Sequence, residues 1–315
     1  MIQFIGSAPN GFLQWLSQYF SKNLNVFLLD RYPANLHYAF ALRALSEEYA
    51  VRQFARVRRD VDGATFDVTQ SSFDDGTLES FMTLNGTNTS ITGTVVQLND
   101  QSNNLRTATQ ADPAKQPTIW KPISGLVTNF GEPAIEFDGI DDELTVTNSG
   151  VLSDFTLFSM IKFNNLATGI GALVGVDQAG VVYDGAQNGI GYSDAVTAFQ
   201  LLLDKANIDG NTALYSVMTD KLGVRLSPTL DGTTYGSLSP AGGDLEVDFS
   251  SINGRFTSNI TSVVMQDLIV YSAEKTAERA DILDYINYYY QKYLVPNVAV
   301  GTGTDYNELI WNATT

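Results

Sequence analysis

Four acids crowd one short stretch, Asp138-Gly139-Ile140-Asp141-Asp142-Glu143. Hard oxygen donors at that density could hold calcium, with Asp138, Asp141 and Asp142 as the candidate ligands, although their spacing is not that of an EF-hand loop. The plainer reading is a solvated turn leaving a strand. Asp177 and Asp184 lie on Gly-rich turns and could supply paired carboxyl groups, or could simply shape those turns. Tyr183, Tyr192 and Tyr235, with Asn188, also neighbour glycines. Aromatic faces beside amide donors and acceptors suit a sugar ring, so these four are the expected carbohydrate contacts. The single imidazole, His37, lies between apolar and aromatic neighbours and is expected to be a surface or packing residue rather than a catalyst. Arg52, Arg56, Arg58 and Arg59 form a basic cluster expected to pair with the acidic body, with anion binding as the alternative. No residue takes a catalytic assignment from type and spacing.

The elements that must position these groups are mostly strands. From Val51 the pattern has period two, with Ala55, Val57 and Arg59 alternating with Arg56 and Arg58, before an Asp62-Gly63 turn and Phe66-Asp67-Val68. A capped helical turn is expected over 74–81, and strands over 94–98 and 134–137. After Asn148 come short strands near 155–163, 172–176, 213–218, 223–226 and 263–271, the spacing of a sandwich or jelly roll. Helical spacing predicts a helix over 33–49 carrying His37, and another over 275–294 that buries Leu283, Ile286 and Tyr290 and stops at Pro296.

Both ends differ from this body. Phe12, Trp15, Leu16, Tyr19 and Phe20 make an apolar stripe on a short helix, which needs a partner or its own domain to cover it. The tail carries Tyr306, Ile310 and Trp311 among Gly, Thr and Asn. The expected organisation is an anchoring segment over 1–29, a sandwich over 30–296 and an extended adhesive tail over 297–315.

Composition removes several function classes. Thirty-five acids against eighteen bases give the 315-residue chain a net charge of −17, which repels phosphate backbones and argues against nucleic acid as a partner. The charge is uneven: residues 1–60 hold seven bases and four acids (+3), leaving eleven bases and thirty-one acids (−20) for the rest. With no cysteine and one histidine, disulfide frameworks, thiolate sites and His-cluster zinc sites are excluded. No apolar run reaches the roughly 18 residues of a membrane helix. The first residues lack the basic start of a secretory signal. No cofactor is expected, calcium aside.

One stretch carries a family pattern. Asp100-Gln101-Ser102-Asn103-Asn104, Ala108-Thr109-Gln110 and Gln116-Pro117 precede Gly131-Glu132-Pro133-Ala134-Ile135-Glu136-Phe137-Asp138-Gly139 and Asp141-Asp142. This resembles the signature of tailed-phage virion proteins that carry a concanavalin A-like (laminin G-like) jelly roll. It is also similar to the catalytic region of arabinofuranosidase B. The likeness extends over about 30–293, including Tyr32-Pro33 and Asp267-Leu268-Ile269-Val270-Tyr271. It implies a mainly β, concanavalin A-like jelly-roll sandwich with a few peripheral helices. It further implies location in the virion as a structural tail, fibre or head-decoration component. Its partners would be other virion proteins, further copies of itself as a homo-oligomer, and cell-surface glycans. The alternative is a glycoside hydrolase of the arabinofuranosidase B type. That family's nucleophile is a Glu following vicinal cysteines; the comparable 171–180 region has no Cys, and no Glu occurs between Glu143 and Glu246. The expectation is therefore a chain that is not an enzyme.

Overall fold

Strands whose apolar residues point to both faces belong between two layers, and several strands here have that character. The structure, a computed structural model, describes residues 27–165, 170–176, 179–184, 189–193, 200–204, 212–219, 226–231, 233–234, 246–253 and 262–290. The fold is mainly β, an antiparallel sandwich of jelly-roll type with few helices. At its centre the ten-residue strand Ser262–Tyr271 pairs with Thr156–Asn165 on one side. On its other side it pairs with Leu36–Ala41 and Ile135–Asp138 end to end. Thr156–Asn165 continues outward to Thr212–Thr219 and then to Leu226–Leu230. The facing layer runs from Thr65–Val68 through Ala55–Arg59, Gly93–Asn99, Thr107–Thr109 and Leu144–Val146 to Ser251–Ile252 and the Ile170–Val176 hairpin. Thr118–Lys121 bonds to both layers, through Gly93 and Thr94 on one and Glu136 on the other.

Among the described residues two large cores follow from this stacking. The larger lies between the layers and collects Tyr38, Phe40, Val57, Val95, Leu157, Tyr215, Leu268 and Val270. The second lies on the outer face of the central sheet, where Ala39, Ala41, Phe158, Met160 and Ile269 meet the helix Arg279–Tyr290 through Ile282, Leu283 and Ile286. Leu28 and Leu29 of the short helix Leu28–Arg31 are buried in this same core.

The helix expected over 33–49 is instead the strand Leu36–Ala41, followed by a turn and a 3-10 helix at Glu48–Ala50. Its Tyr38 and Phe40 enter one core and its Ala39 and Ala41 the other. A strand covered on both faces has no polar alternation, so its apolar run mimics a helix in sequence. The second expected helix exists but begins at Arg279, after a turn in which Arg279 N–H donates to the Lys275 carbonyl at 2.7 Å. The period-two segment is the strand Ala55–Arg59, with Ala55, Val57 and Arg59 buried and Arg56 exposed. Arg56 pairs with Asp67, Arg59 with Asp62, and Arg52 with Glu48. Asp75 closes the turn before the helix Thr77–Met82 by accepting from the Thr77 N–H and hydroxyl. Residues 1–26 and 291–315, which include the expected tail over 297–315, lie outside the described residues, and with them Phe12, Trp15, Leu16, Tyr19, Phe20, Tyr306, Ile310 and Trp311.

Candidate functional site

A densely hydrogen-bonded loop, Asp100–Arg106, lies between the strands Gly93–Asn99 and Thr107–Thr109. Asp100 is 1% exposed, and its carboxylate accepts from Ala39 N–H at 2.8 Å, Ser102 N–H at 2.8 Å, Ser102 Oγ at 2.6 Å and Arg106 N–H at 3.2 Å. Burial pushes this carboxyl up, and those four donors pull against it. Gln101 Oε1 accepts from Leu45 N–H while its amide nitrogen donates to the carbonyls of Ala41 and Arg43. Tyr49 donates its hydroxyl to the Asp100 carbonyl at 2.5 Å. A short Asp-x-Ser turn folds this way because its side chains satisfy backbone groups that the loop leaves unpaired. The loop is therefore a rigid platform tied to the Leu36–Ala41 strand and the segment after it.

Two grooves open beside this platform. One, of about 330 Å³, is lined by Asp30, Asn35, Glu48, Ser102, Asn103 and Asn104 among others. The second, of about 290 Å³, is lined by Tyr49, Arg52, Gln53, Asn99, Leu105 and Arg106 among others. The Glu48–Arg52 ion pair joins them, since Glu48 faces the first and Arg52 the second. Carboxylates, amides and hydroxyls dominate the first groove, and guanidinium groups with an apolar lip mark the second. Such walls suit a ligand rich in hydroxyl groups.

His37 sits behind this platform. A β-bulge between Leu36 and Tyr38 interrupts pairing with the central strand, and the His37 ring lies 5.3 Å from Tyr38 and 5.9 Å from Phe249 between centroids. Its carbonyl accepts from both Arg106 and Asn104. Burial, then the Arg106 charge, lowers the imidazole to about 4, so it is neutral at physiological pH. Of the two readings open for it, surface or packing, its burial is that of a packing residue, on a strand rather than on a helix.

The acid turn is also positioned by the sandwich. It follows Ile135–Asp138, and Asp138, Asp141 and Asp142 hold carboxylate oxygens within 4.8 Å of one another. Asp142 Oδ2 accepts from Asp138 N–H at 2.8 Å, and Asp138 Oδ1 accepts from Ile140 N–H at 2.7 Å, so two of the acids close their own turn. Burial, with the nearby carboxylates of Asp138, Asp141 and Glu136 adding to it, raises Asp142 to about 7. Three oxygens are a partial calcium shell, since that ion takes about 6–8.

The remaining sequence candidates fall on the outer hairpins. Tyr183 lies on the strand Ala179–Asp184 and Tyr192 on Gly189–Ser193, which pair with Val181 opposite Tyr192 and Tyr183 opposite Ile190. Asp184 ends its strand opposite Gly189. Asn188, Tyr235 and Asp177 lie outside the described residues. Sequence reasoning recognised the Asp100–Asn104 turn as architecture but passed over Tyr49 and Arg106. Only long-range folding brings Tyr49 to the loop and the Arg106 side chain to the His37 carbonyl, although Asp100 and Ser102 announce the turn itself.

No family model matches the chain, and no curated protein matches it. Solved structures do resemble it. A GH54 α-L-arabinofuranosidase soaked with a cyclic sulfate inhibitor superposes with a TM-score of 0.53 at 12% identity, covering 89% of this chain and 68% of its own. A glutamate-to-glutamine variant of a GH54 α-L-arabinofuranosidase, soaked with 4-nitrophenyl α-L-arabinofuranoside, gives 0.54 at 13% identity over the same shares. An arabinofuranosidase complexed with arabinofuranosyl-α-1,2-xylobiose gives 0.53 at 12% identity, again over those shares. The likeness shows the fold. Because all three neighbours are glycoside hydrolases, the finding corrects the expectation of a chain that is not an enzyme. That expectation rested on a missing Glu and missing cysteines in one linear segment, whereas catalytic pairs are assembled by the fold and need not keep one sequence position. Nothing in these comparisons points to a phage particle.

Proposed function

We propose that the chain is a carbohydrate-active sandwich, a glycoside hydrolase for which α-L-arabinofuranosides are the first substrates to try. The observation that carries this reading is the superposition of 89% of the chain on arabinofuranosidases at TM-scores of 0.53 to 0.54. The hydroxyl- and amide-lined grooves beside the Asp100–Arg106 platform support it, because they offer many donors and acceptors at fixed positions. Glycoside hydrolysis needs one carboxyl group to donate a proton to the leaving oxygen and a second to act as nucleophile or base. Asp177 and Asp184, which bracket the Ala179–Asp184 strand, are the acids to test first in those roles. Asp142 already accepts a backbone N–H and is 3% exposed, which suits a turn-closing role better than contact with substrate.

The test is turnover of 4-nitrophenyl α-L-arabinofuranoside and a panel of other aryl glycosides by the full chain. Release of nitrophenol that Asp177→Asn or Asp184→Asn abolishes, with Asp142→Asn still active, supports the reading. No turnover of any glycoside, aryl or polymeric, defeats it.

A further inference from the structure

We propose that the groove of about 290 Å³ between Tyr49 and Arg106 is a subsite for a carboxylate-bearing sugar, a uronic acid residue of a glycan. The inference rests on the carbohydrate reading above and names one class of sugar for it. A groove of this volume lies at the small end of ligand pockets, which run from about 300 to 1,000 Å³, and fits one sugar ring.

The walls divide by chemistry. Arg106 is fixed by its Nε, which donates to the Asn148 carbonyl at 2.9 Å, and by Nη1, which donates to the His37 carbonyl. These bonds leave Nη2 without a partner among the described residues and orient the guanidinium plane. Arg52, whose side chain is 51% exposed, stands over the Tyr49 ring at 5.7 Å and reaches Glu48 through Nη2. Two guanidinium groups line this one groove, and a planar fork is the donor geometry that a carboxylate accepts. The opposing acids are accounted for: Asp100 is enclosed by its four donors, and Glu48 holds Arg52 from the neighbouring groove.

The rest of the groove fits a ring rather than a bare anion. Gln53 Nε2 is held by Asp67 at 2.9 Å, leaving Oε1 as an acceptor for a sugar hydroxyl. Leu105 is 68% exposed at the lip, with a φ of 54° that a leucine rarely adopts. Its flanking neighbours hold it there, since Asn104 Nδ2 donates to the Leu36 and His37 carbonyls and Arg106 is doubly anchored. An exposed apolar side chain held on strained backbone beside two cations supplies the C–H face of a ring with a surface next to its charge.

The experiment is titration calorimetry of the full chain with methyl β-D-glucuronide and with methyl β-D-glucoside, which differ only at the C6 carboxylate. The glucuronide is expected to bind about 10-fold or more tighter, the scale of one charge-assisted bidentate contact, with affinity falling as salt rises. Arg52→Gln, at an exposed position, should weaken the glucuronide about 10-fold and leave the glucoside unchanged. Arg106→Gln should do the same, and Arg52→Gln keeps the test decisive if that variant does not fold. Equal affinity for the two sugars, or an unchanged glucuronide affinity in Arg52→Gln, overturns the proposal. So does sodium acetate that competes as well as the glucuronide, because the groove would then be a plain anion site. Turnover of neutral arabinofuranosides without glucuronide binding removes this subsite and leaves the hydrolase reading intact; glucuronide binding without any turnover does the reverse.

Discussion

Replacing Asp142 by Asn should make the protein more stable, and increasingly so as pH rises. The carboxyl is 3% exposed and is raised to about 7 by burial, with the neighbouring carboxylates adding to the effect. In the unfolded chain it returns to 3.8. Between those values the folded state binds the extra proton, so this group's contribution is most favourable below about pH 4 and is lost as pH rises toward 7. The shift is 7 − 3.8 = 3.2 pH units, a penalty of about 4 kcal/mol once both states are ionised. By the same relation about 1.6 kcal/mol of it has accrued at pH 5, leaving about 2.6 kcal/mol to appear between pH 5 and pH 8. Asn keeps an oxygen to accept the Asp138 N–H, now held at 2.8 Å, and carries no charge to desolvate. Urea denaturation of both proteins at pH 5 and pH 8, without added metal, measures this directly. The gain from Asp142→Asn should be larger at pH 8 by about 2–3 kcal/mol. A gain that does not change with pH, or a loss that deepens at pH 8, refutes the reasoning, because the carboxylate would then be paired and stabilising. Added calcium that stabilises the wild type at pH 8 but not the variant would identify the missing partner as an ion on Asp138, Asp141 and Asp142.

His37 should act in the opposite direction. Its imidazole is lowered to about 4 from 6.5, so its contribution is fully present above about pH 6.5 and is lost as pH falls toward 4. The cost at pH 4 approaches about 3 kcal/mol, and His37→Phe should remove this acid-side slope in urea titrations at pH 4 and pH 7. The buried pair of Arg43 and Asp267, with Nη2 to Oδ2 at 2.6 Å and Tyr290 donating to Oδ1 at 2.8 Å, should be costly to break from one side. Asp267→Leu or Arg43→Met alone should lower stability by about 3–5 kcal/mol, and the double replacement should recover most of that loss in equilibrium unfolding.

Much of the sandwich was legible along the chain. Ala55, Val57 and Arg59 alternate because one face of their strand is buried, and Leu283, Ile286 and Tyr290 recur at helical spacing because one face of their helix packs on the sheet. The Asp100-Gln101-Ser102 and Asp138-Gly139 turns were legible too, since short polar side chains bond backbone groups only a few residues away. The error at 33–49 has the same physics in reverse, because a strand buried on both faces leaves no periodic signature. The error about enzymatic activity came from treating one linear segment as the whole site.

Local chemistry, then, was determined by the sequence alone: an acidic, cysteine-free chain with strand periods, turn residues and one late helix. Pairing across long separations was decided by the tertiary structure. Arg43 reaches Asp267 across 224 residues, Arg106 reaches the His37 carbonyl across 69, and the grooves exist only because such segments meet at one loop. The protonation of Asp142 and His37 belongs to the same level. Desolvation is set by whatever packs around a group, and neighbours brought from elsewhere in the chain leave no mark on the residues beside it.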